Sequence, residues 1–353
     1  MNPKKHIKDA LLGAWRPALA ILGAVLVSAL LLRAFGYDAG HSLAMLYDAS
    51  FSNLRVFGSM LNRACPLLFT GIAVAIAYRG SVFNIGADGQ FLAGAIVSAW
   101  IGIKGGGLPG PLLILLMVLG GTLAGAAWAF LPGFLKARYE ISEVITTIMF
   151  NYIAIQLVGY LVRGPLRDMA QAEPQSYAIA AQGWLSYLIP KTKLHPGFII
   201  GCIVAVVIFI LLFKSWFGYE VRAVGYNPIA SKYAGISVTR TTLATMLLSG
   251  ALCGLGGFFE VAGASHYLYE SLSSGYGYTA IAVSILAGNN PIGVIFSASL
   301  FGFLTLGATA MQRVIGVSAQ FTSIVQGIII IFVAAASVKG LQKTRRKAEK
   351  GGH

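Results

Sequence analysis

The sequence predicts an all-α polytopic membrane protein of about ten transmembrane helices. Of its 353 residues, 57% are hydrophobic and only 11% charged. That is too little charge to cover the surface of a water-soluble protein of this length. The apolar residues come in long runs, several approaching the ~20 residues a helix needs to cross a bilayer. The runs are continuous and do not alternate as barrel strands would.

The apolar segments fall at 17–35, 56–78, 82–101, 111–131, 143–162, 197–213, 241–263, 278–288, 292–311 and 321–338. The third and eighth are short or interrupted by glycine. An even count places both termini on one side, and the basic residues decide which. With the N-terminus in the cytoplasm, 17 of the 26 Lys and Arg residues lie inside, the bias expected of a membrane protein. The opening "MNPKKHIKDALLGAWRP" is basic and then apolar with no small-residue cleavage site close behind, which reads as an uncleaved first span. Two connections are long: 164–196, placed outside, and 214–240, placed inside. No connection is long enough for a soluble domain, so residues 1–353 form one membrane domain that ends in a basic cytoplasmic tail, 339–353.

Several function classes are excluded. The formal net charge of +14 would suggest nucleic acid in a soluble protein, but no aromatic–basic interleaving accompanies it. The charge fits topology and contact with anionic lipid headgroups. Cys65, Cys202 and Cys253 lie far apart in apolar runs, and the five histidines do not cluster, so neither a disulfide set nor a metal site is expected. No Gly-rich sequence ending in Lys-Ser/Thr occurs, and "GYGYTA" at 275–280 lacks the strand context of a dinucleotide site. The chain is not expected to be an enzyme or to hold a cofactor.

Two regions carry chemistry. The first is "SVFNIGADGQFLAGA", residues 81–95, with Asn84, Asp88 and Gln90 beside Gly86 and Gly89. A carboxylate at the bilayer centre costs at least ~2.5 kcal/mol, so Asp88 must face protein, water or a cation. The glycines allow an interrupted helix, and interrupted helices line cavities in transporters. These polar groups either line a path or gate, or satisfy backbone between packed helices. Glu143, Asn151, Gln156 and Glu260 pose the same choice. The run "RGSVFNIGADGQ" has a faint counterpart in "SSGYGYTA", which opens the eighth span, as inverted repeats would. Small-residue pairs at Gly121/Gly125 and Gly250/Gly254 permit close helix approach.

The second region is the cytoplasmic connection. Asn227 is a good N-cap and Pro228 suits the first helical position. "PIASKYA" can run two turns to a stop at Gly235, and Gly225 separates it from the preceding "YEVRAV". Such a helix either docks into a partner or lies on the headgroups.

The stretches "YRGSVFNIGADGQFLAGA", "FLPGFLKARYEISEVITTIMFNYIA" and "FGYEVRAVGYNPIASKYAGIS" together resemble the permease subunits of bacterial ABC importers for simple sugars and nucleosides, most closely the larger permease of nucleoside uptake systems. The resemblance runs from about 60 to 338. The family pattern has Glu where this chain has Asp88, which keeps the charge on a shorter arm. The resemblance implies a fold similar to the ribose and cobalamin importers, in the bacterial cytoplasmic (inner) membrane. It implies two ABC ATPase subunits inside, a second permease beside this one and a substrate-binding protein outside. ATP hydrolysis would then lie on the partner ATPases. The ATPase-coupling residues would be Gly218, Tyr219, Glu220, Arg222, Gly225, Tyr226, Asn227, Pro228, Ile229, Tyr233, Gly235 and Ile236. The contact would rest on Tyr226, Ile229, Tyr233 and Ile236, with Glu220 and Arg222 fixing register. The alternative is an ion- or proton-coupled secondary transporter, with Asp88, Glu143 and Glu260 as coupling residues.

This topology puts the 164–196 and 264–277 loops outside. Cysteines placed at positions 173 and 270 are expected to react with an impermeant thiol reagent in intact spheroplasts. Labelling only after lysis would invert the topology.

Overall fold

The computed structural model describes residues 36–189 and 192–315, with a few isolated positions on either side. The expected first and last spans, 17–35 and 321–338, fall mostly outside the described residues, and the basic tail lies outside them altogether. The chain divides into two compact units: residues 58–302, and residues 1–57 with 303–353.

Among the described residues there are eleven α-helices and no strand beyond isolated bridges. They are α1 (Ala39–Phe51), α2 (Leu54–Arg79), α3 (Ala87–Lys104), α4 (Gly110–Tyr139), α5 (Glu143–Arg163), α6 (Gly197–Lys214), α7 (Trp216–Tyr226), α8 (Pro228–Tyr233), α9 (Val238–Phe259), α10 (Tyr276–Leu286) and α11 (Pro291–Ile315). Each of the eight middle segments expected from hydropathy is a helix. The helices outside that set are α1, α7 and α8. Six helices, α2, α4, α5, α6, α9 and α11, are long and apolar enough to cross a membrane. The chain is a multi-pass membrane protein. At 11 residues, α10 is only about 16 Å long, half the hydrocarbon thickness.

Within the 58–302 unit, α2 is the central helix. From Ala64 to Ala77 every residue is buried, so it is apolar all round. By contrast α4, α5 and α6 bury one narrow stripe and expose the rest, as helices facing lipid or another subunit do. Next to α2, helices α3, α4 and α9 cross at unusually short range. A Cβ on Gly125 would stand 2.7 Å from the Gly254 Cα, and one on Gly257 would stand 2.7 Å from the Ala95 nitrogen. Cβ atoms on Gly94, Gly250 or Gly254 would overlap facing backbone outright. The two small-residue pairs anticipated from sequence are thus two halves of one seam, with α3 as a third member. Lipid offers no hydrophobic drive to helix association, so close van der Waals contact of this kind carries the packing.

Helix α9 ends in a π-helical turn, Glu260–Ser265, where the Ser265 hydroxyl donates to the Glu260 carbonyl at 3.2 Å. Beyond it the chain bonds to the 164–196 loop. Ile179 N donates to His266 O at 2.9 Å and Ser176 N to Leu268 O at 2.9 Å, while Trp184 stacks on the His266 ring at 4.2 Å. Arg163, at the end of α5, makes a two-point ion pair with Glu270, whose carboxyl is held below its ordinary range by that guanidinium. The two loops that the sequence placed outside form one layer.

The seam predicts a position-specific steric cost. Gly254→Val is expected to destabilise the protein by about 3 kcal/mol or more, because rigid backbone on α4 and α3 must move. Gly107→Ala, which has open space around it, is expected to be neutral. Thermal unfolding in detergent checks both.

Candidate functional site

Between α2 and α3 the chain leaves helical geometry over residues 80–86. This break, in the middle of a buried region, exposes backbone groups that need partners. The polar residues singled out from sequence supply them. Asn84 and Gln90 exchange side-chain amide bonds in both directions, at 2.9 and 3.0 Å. Asn84 also accepts from Gly86 N at 2.9 Å and donates to the Ser249 hydroxyl on α9 at 2.8 Å. Ser249 passes the chain on to the Ala73 carbonyl of α2 at 2.8 Å. Asn151, from α5, accepts from Gly89 N at 2.8 Å and donates to Ile85 O at 2.9 Å. Glu143 accepts from Phe83 N at 3.1 Å and pairs with Lys136 at 2.9 Å. Five of the six path candidates are therefore brought around one break. Each side chain is buried and held by protein in this conformation.

Gly86 and Gly89 do different things. Gly86 caps α3, where the interruption ends. Gly89 sits inside the helix, and its lack of a side chain admits Asn151 and Trp128; a Cβ there would lie 2.9 Å from the Trp128 Nε1.

Asp88 explains how a carboxylate stays in this setting. It lies in the first turn of α3, at the positive end of its own helix. Its Oδ1 also accepts from Gly277 N at 2.8 Å. Gly277 is in the first turn of α10, whose N-cap, Gly275, has no side chain to offer. Asp88 thus serves as the missing cap of α10 from across the fold, and its charge sits between two helix N-termini. The approach requires Gly277, because a Cβ there would stand 3.0 Å from the Asp88 Cα. The two runs noted for their faint similarity therefore meet at their helix starts.

Glu260 is not part of this cluster. It is buried at the head of the π turn on α9. Ser249, Gly277 and Tyr278 were not singled out in sequence. Ser249 is one hydroxyl in an apolar run, and Gly277 is one of 43 glycines. Tyr278 accepts from Asn151 at 3.4 Å. Only the fold distinguishes them.

At the 214–240 connection, Asn227 caps α8 as expected, accepting from Ala230 N at 3.0 Å, and Gly235 ends it with φ +83°. Gly225 does not separate the helices. It lies within α7, and the chain turns at Asn227, whose extended backbone ends one helix and opens the next. Gly225 instead packs against the Arg79 carbonyl, and Gly218 against the end of α6. Tyr226, Ile229 and Tyr233 are 85%, 71% and 90% exposed, and Trp216 and Tyr219 of α7 are exposed as well. Ile236, expected on that face, is buried, because the chain after Gly235 turns inward and its N–H bonds Ser231 O at 3.0 Å. Glu220 accepts from the Trp216 indole at 2.9 Å, and Arg222 reaches back to Gly218 O at 3.2 Å. Both therefore brace α7 itself.

Removing the acceptor at 88 should be felt as a buried unsatisfied donor. Asp88→Ala is expected to destabilise the protein by about 1–3 kcal/mol, more than Asp88→Glu or Asp88→Asn, which keep an acceptor. Thermal midpoints of the three variants check this. Equal midpoints for Asp88→Ala and the parent would show that the cap contributes nothing.

The chain matches the family model "branched-chain amino acid transport system / permease component" over residues 56–334. It is 36% identical over 323 residues to the guanosine ABC transporter permease protein NupP of Bacillus subtilis, covering 91% of this chain and 92% of that one. It is 35% identical over 354 residues to the nucleoside ABC transporter permease protein NupB of Lactococcus lactis, covering 95% and 97%. It is 30% identical over 343 residues to the glucose ABC transporter permease protein TsgB13 of Haloferax volcanii, covering 94% and 90%. With a buried polar hub among packed spans, an exposed aromatic helix pair and a match across most of its length, this chain belongs to the branched-chain amino acid transport system permease family.

Proposed function

We propose that this protein is the permease subunit of an ABC importer that takes up a nucleoside, a purine nucleoside first. The observation that carries this reading is the similarity to nucleoside permeases at 35–36% identity over more than nine-tenths of the chain. A sugar is the second reading, favoured by the glucose permease relative. The chain pairs with a second permease, two ATPase subunits and an external binding protein, and both of its termini are cytoplasmic.

The face formed by α7 and α8 docks the ATPase. Three large apolar side chains that stand free of their own protein, on a helix pair braced from behind, support this assignment. A soluble ATPase covering Tyr226, Ile229 and Tyr233 removes that apolar surface from water. ATP binding moves the pair as a rigid body, because Gly218 and Gly225 lock it to the ends of α6 and α2. The path or gate residues are Asn84, Asp88, Gln90, Glu143, Asn151 and Glu260. Asn84, Gln90, Glu143 and Asn151 hold the 80–86 break in the conformation seen here while Asp88 holds the start of α10 beside it, and transport requires that hub to rearrange. Asp88, Glu143 and Glu260 need no role in ion coupling, because ATP supplies the drive.

Tyr233→Ala is expected to weaken association with the ATPase by about 2 kcal/mol, roughly thirtyfold, as loss of an aromatic interface anchor does. Membrane insertion should be unchanged. A pull-down in mild detergent checks this, and full ATPase recovery would remove the docking assignment. The external protein that co-purifies, tested for binding of guanosine, uridine and glucose, decides between nucleoside and sugar.

A further inference from the structure

Arg79 ends α2 at the point where the 80–86 break begins, and it touches three other elements. Its Nε donates to Asn289 O at 2.9 Å and its Nη2 to Gly288 O at 3.0 Å. These carbonyls belong to the turn after α10, where Gly288 and Asn289 both have positive φ, +61° and +54°. The guanidinium therefore grips the turn that follows α10 at two points. The same guanidinium lies 5.5 Å from the centre of the Phe213 ring, near the end of α6, and Arg222 of α7 lies 5.3 Å from that ring. The main chain makes the third connection. Gly225 of α7 is pressed on the Arg79 carbonyl, and Val221 of α7 lies against Gly80, 3.4 Å from where a Cβ would stand.

The short helix α10 is thus held at both ends by side chains from elsewhere. Asp88 caps its N-terminus, and Arg79 holds the turn just beyond its C-terminus. Asp88 and Arg79 lie on either side of the same break. Inside the turn, the Ser284 hydroxyl donates to Asn289 Oδ1 at 2.9 Å, so the gripped turn is itself firmly built. A displacement of α7 pushes on the Arg79 backbone, and the guanidinium carries that displacement to the end of α10.

We propose that Arg79 is a positioning residue for coupling, a latch through which motion of the α7–α8 pair is delivered to α10. This rests on the reading of α7–α8 as the ATPase dock. Lysine at this position keeps the charge but not the planar two-point grip.

The test uses the importer purified with its own ATPase subunits, carrying Ile281→Cys as a reporter at a partly exposed position of α10. Thiol reactivity is compared without nucleotide and with ATP plus vanadate. The reporter's labelling rate is expected to change at least threefold. Arg79→Ala in the same background is expected to keep the ATPase subunits and basal ATP hydrolysis within twofold, yet lose the change in labelling. Arg79→Lys, which guards against a folding defect in the alanine variant, is expected to show a change at least twofold smaller than the parent. A merely structural role would lower basal hydrolysis and thermal midpoint without selectively removing the nucleotide response. Three results would overturn the latch: no nucleotide response in the parent reporter, a full response in Arg79→Ala and Arg79→Lys, or loss of the ATPase subunits in both. Tyr233→Ala, measured in parallel, reports on the dock alone. If it retains both the ATPase and the labelling change, the dock is wrong, whatever Arg79 does.

Discussion

The close crossing of α3, α4 and α9 is the constraint on which the rest depends. Helices with ordinary side chains pack with axes 8–10 Å apart. Here glycine faces glycine, and backbone meets backbone. That proximity lets the Asn84 amide reach Ser249 on α9 and lets Ser249 reach α2. With the axes farther apart, the polar groups of the 80–86 break would be buried without partners. Each such group costs ~1–3 kcal/mol. The apolar packing and the polar hub are therefore one design: the first makes the second affordable.

The hub also replaces helical backbone bonds with side-chain bonds. A regular helix through residues 80–86 would satisfy its own backbone and leave the amides nothing to do. An interrupted one trades those internal bonds for bonds to Asn84 of the break itself and to Asn151 and Glu143 of α5, with Gln90 of α3 holding Asn84 in place. Bonds of this kind can be exchanged for others without breaking a helix. A side-chain amide brings two donors and an acceptor oxygen, so Asn84 and Asn151 each serve several partners at once.

Charge follows the same economy. Asp88 lies where two helix N-termini converge, and Arg79 donates to two carbonyls of the turn that follows one of these helices. Each charge is met by backbone groups of opposite polarity. Glu143 alone in the hub takes an ion pair, with Lys136, whose side chain reaches toward solvent. The short helix α10, at 11 residues, is held by Asp88 at its start and by Arg79 just beyond its end.

Much of this was legible in the sequence. Hydropathy located eight described helices, because burial in lipid demands long apolar runs whatever the tertiary arrangement. Asn227, Pro228 and Gly235 marked the start and stop of α8, because capping is a local matter of backbone geometry. Asn84, Asp88 and Gln90 stood out because polar groups in an apolar run need a reason. What the sequence left open was who meets whom. Gly225 reads as a helix breaker in isolation, yet it continues α7 because the Arg79 carbonyl leaves no room for a side chain. Ile236 reads as part of an apolar face, yet it is buried because the positive φ of Gly235 turns the chain inward. Gly277, Ser249 and Arg79 carry no local signal, and their roles come from residues far away in the chain. Local geometry and solvent preference are properties of a segment, and the sequence determines them. Partnership across the fold depends on how closely helices approach, and only the tertiary structure decides that.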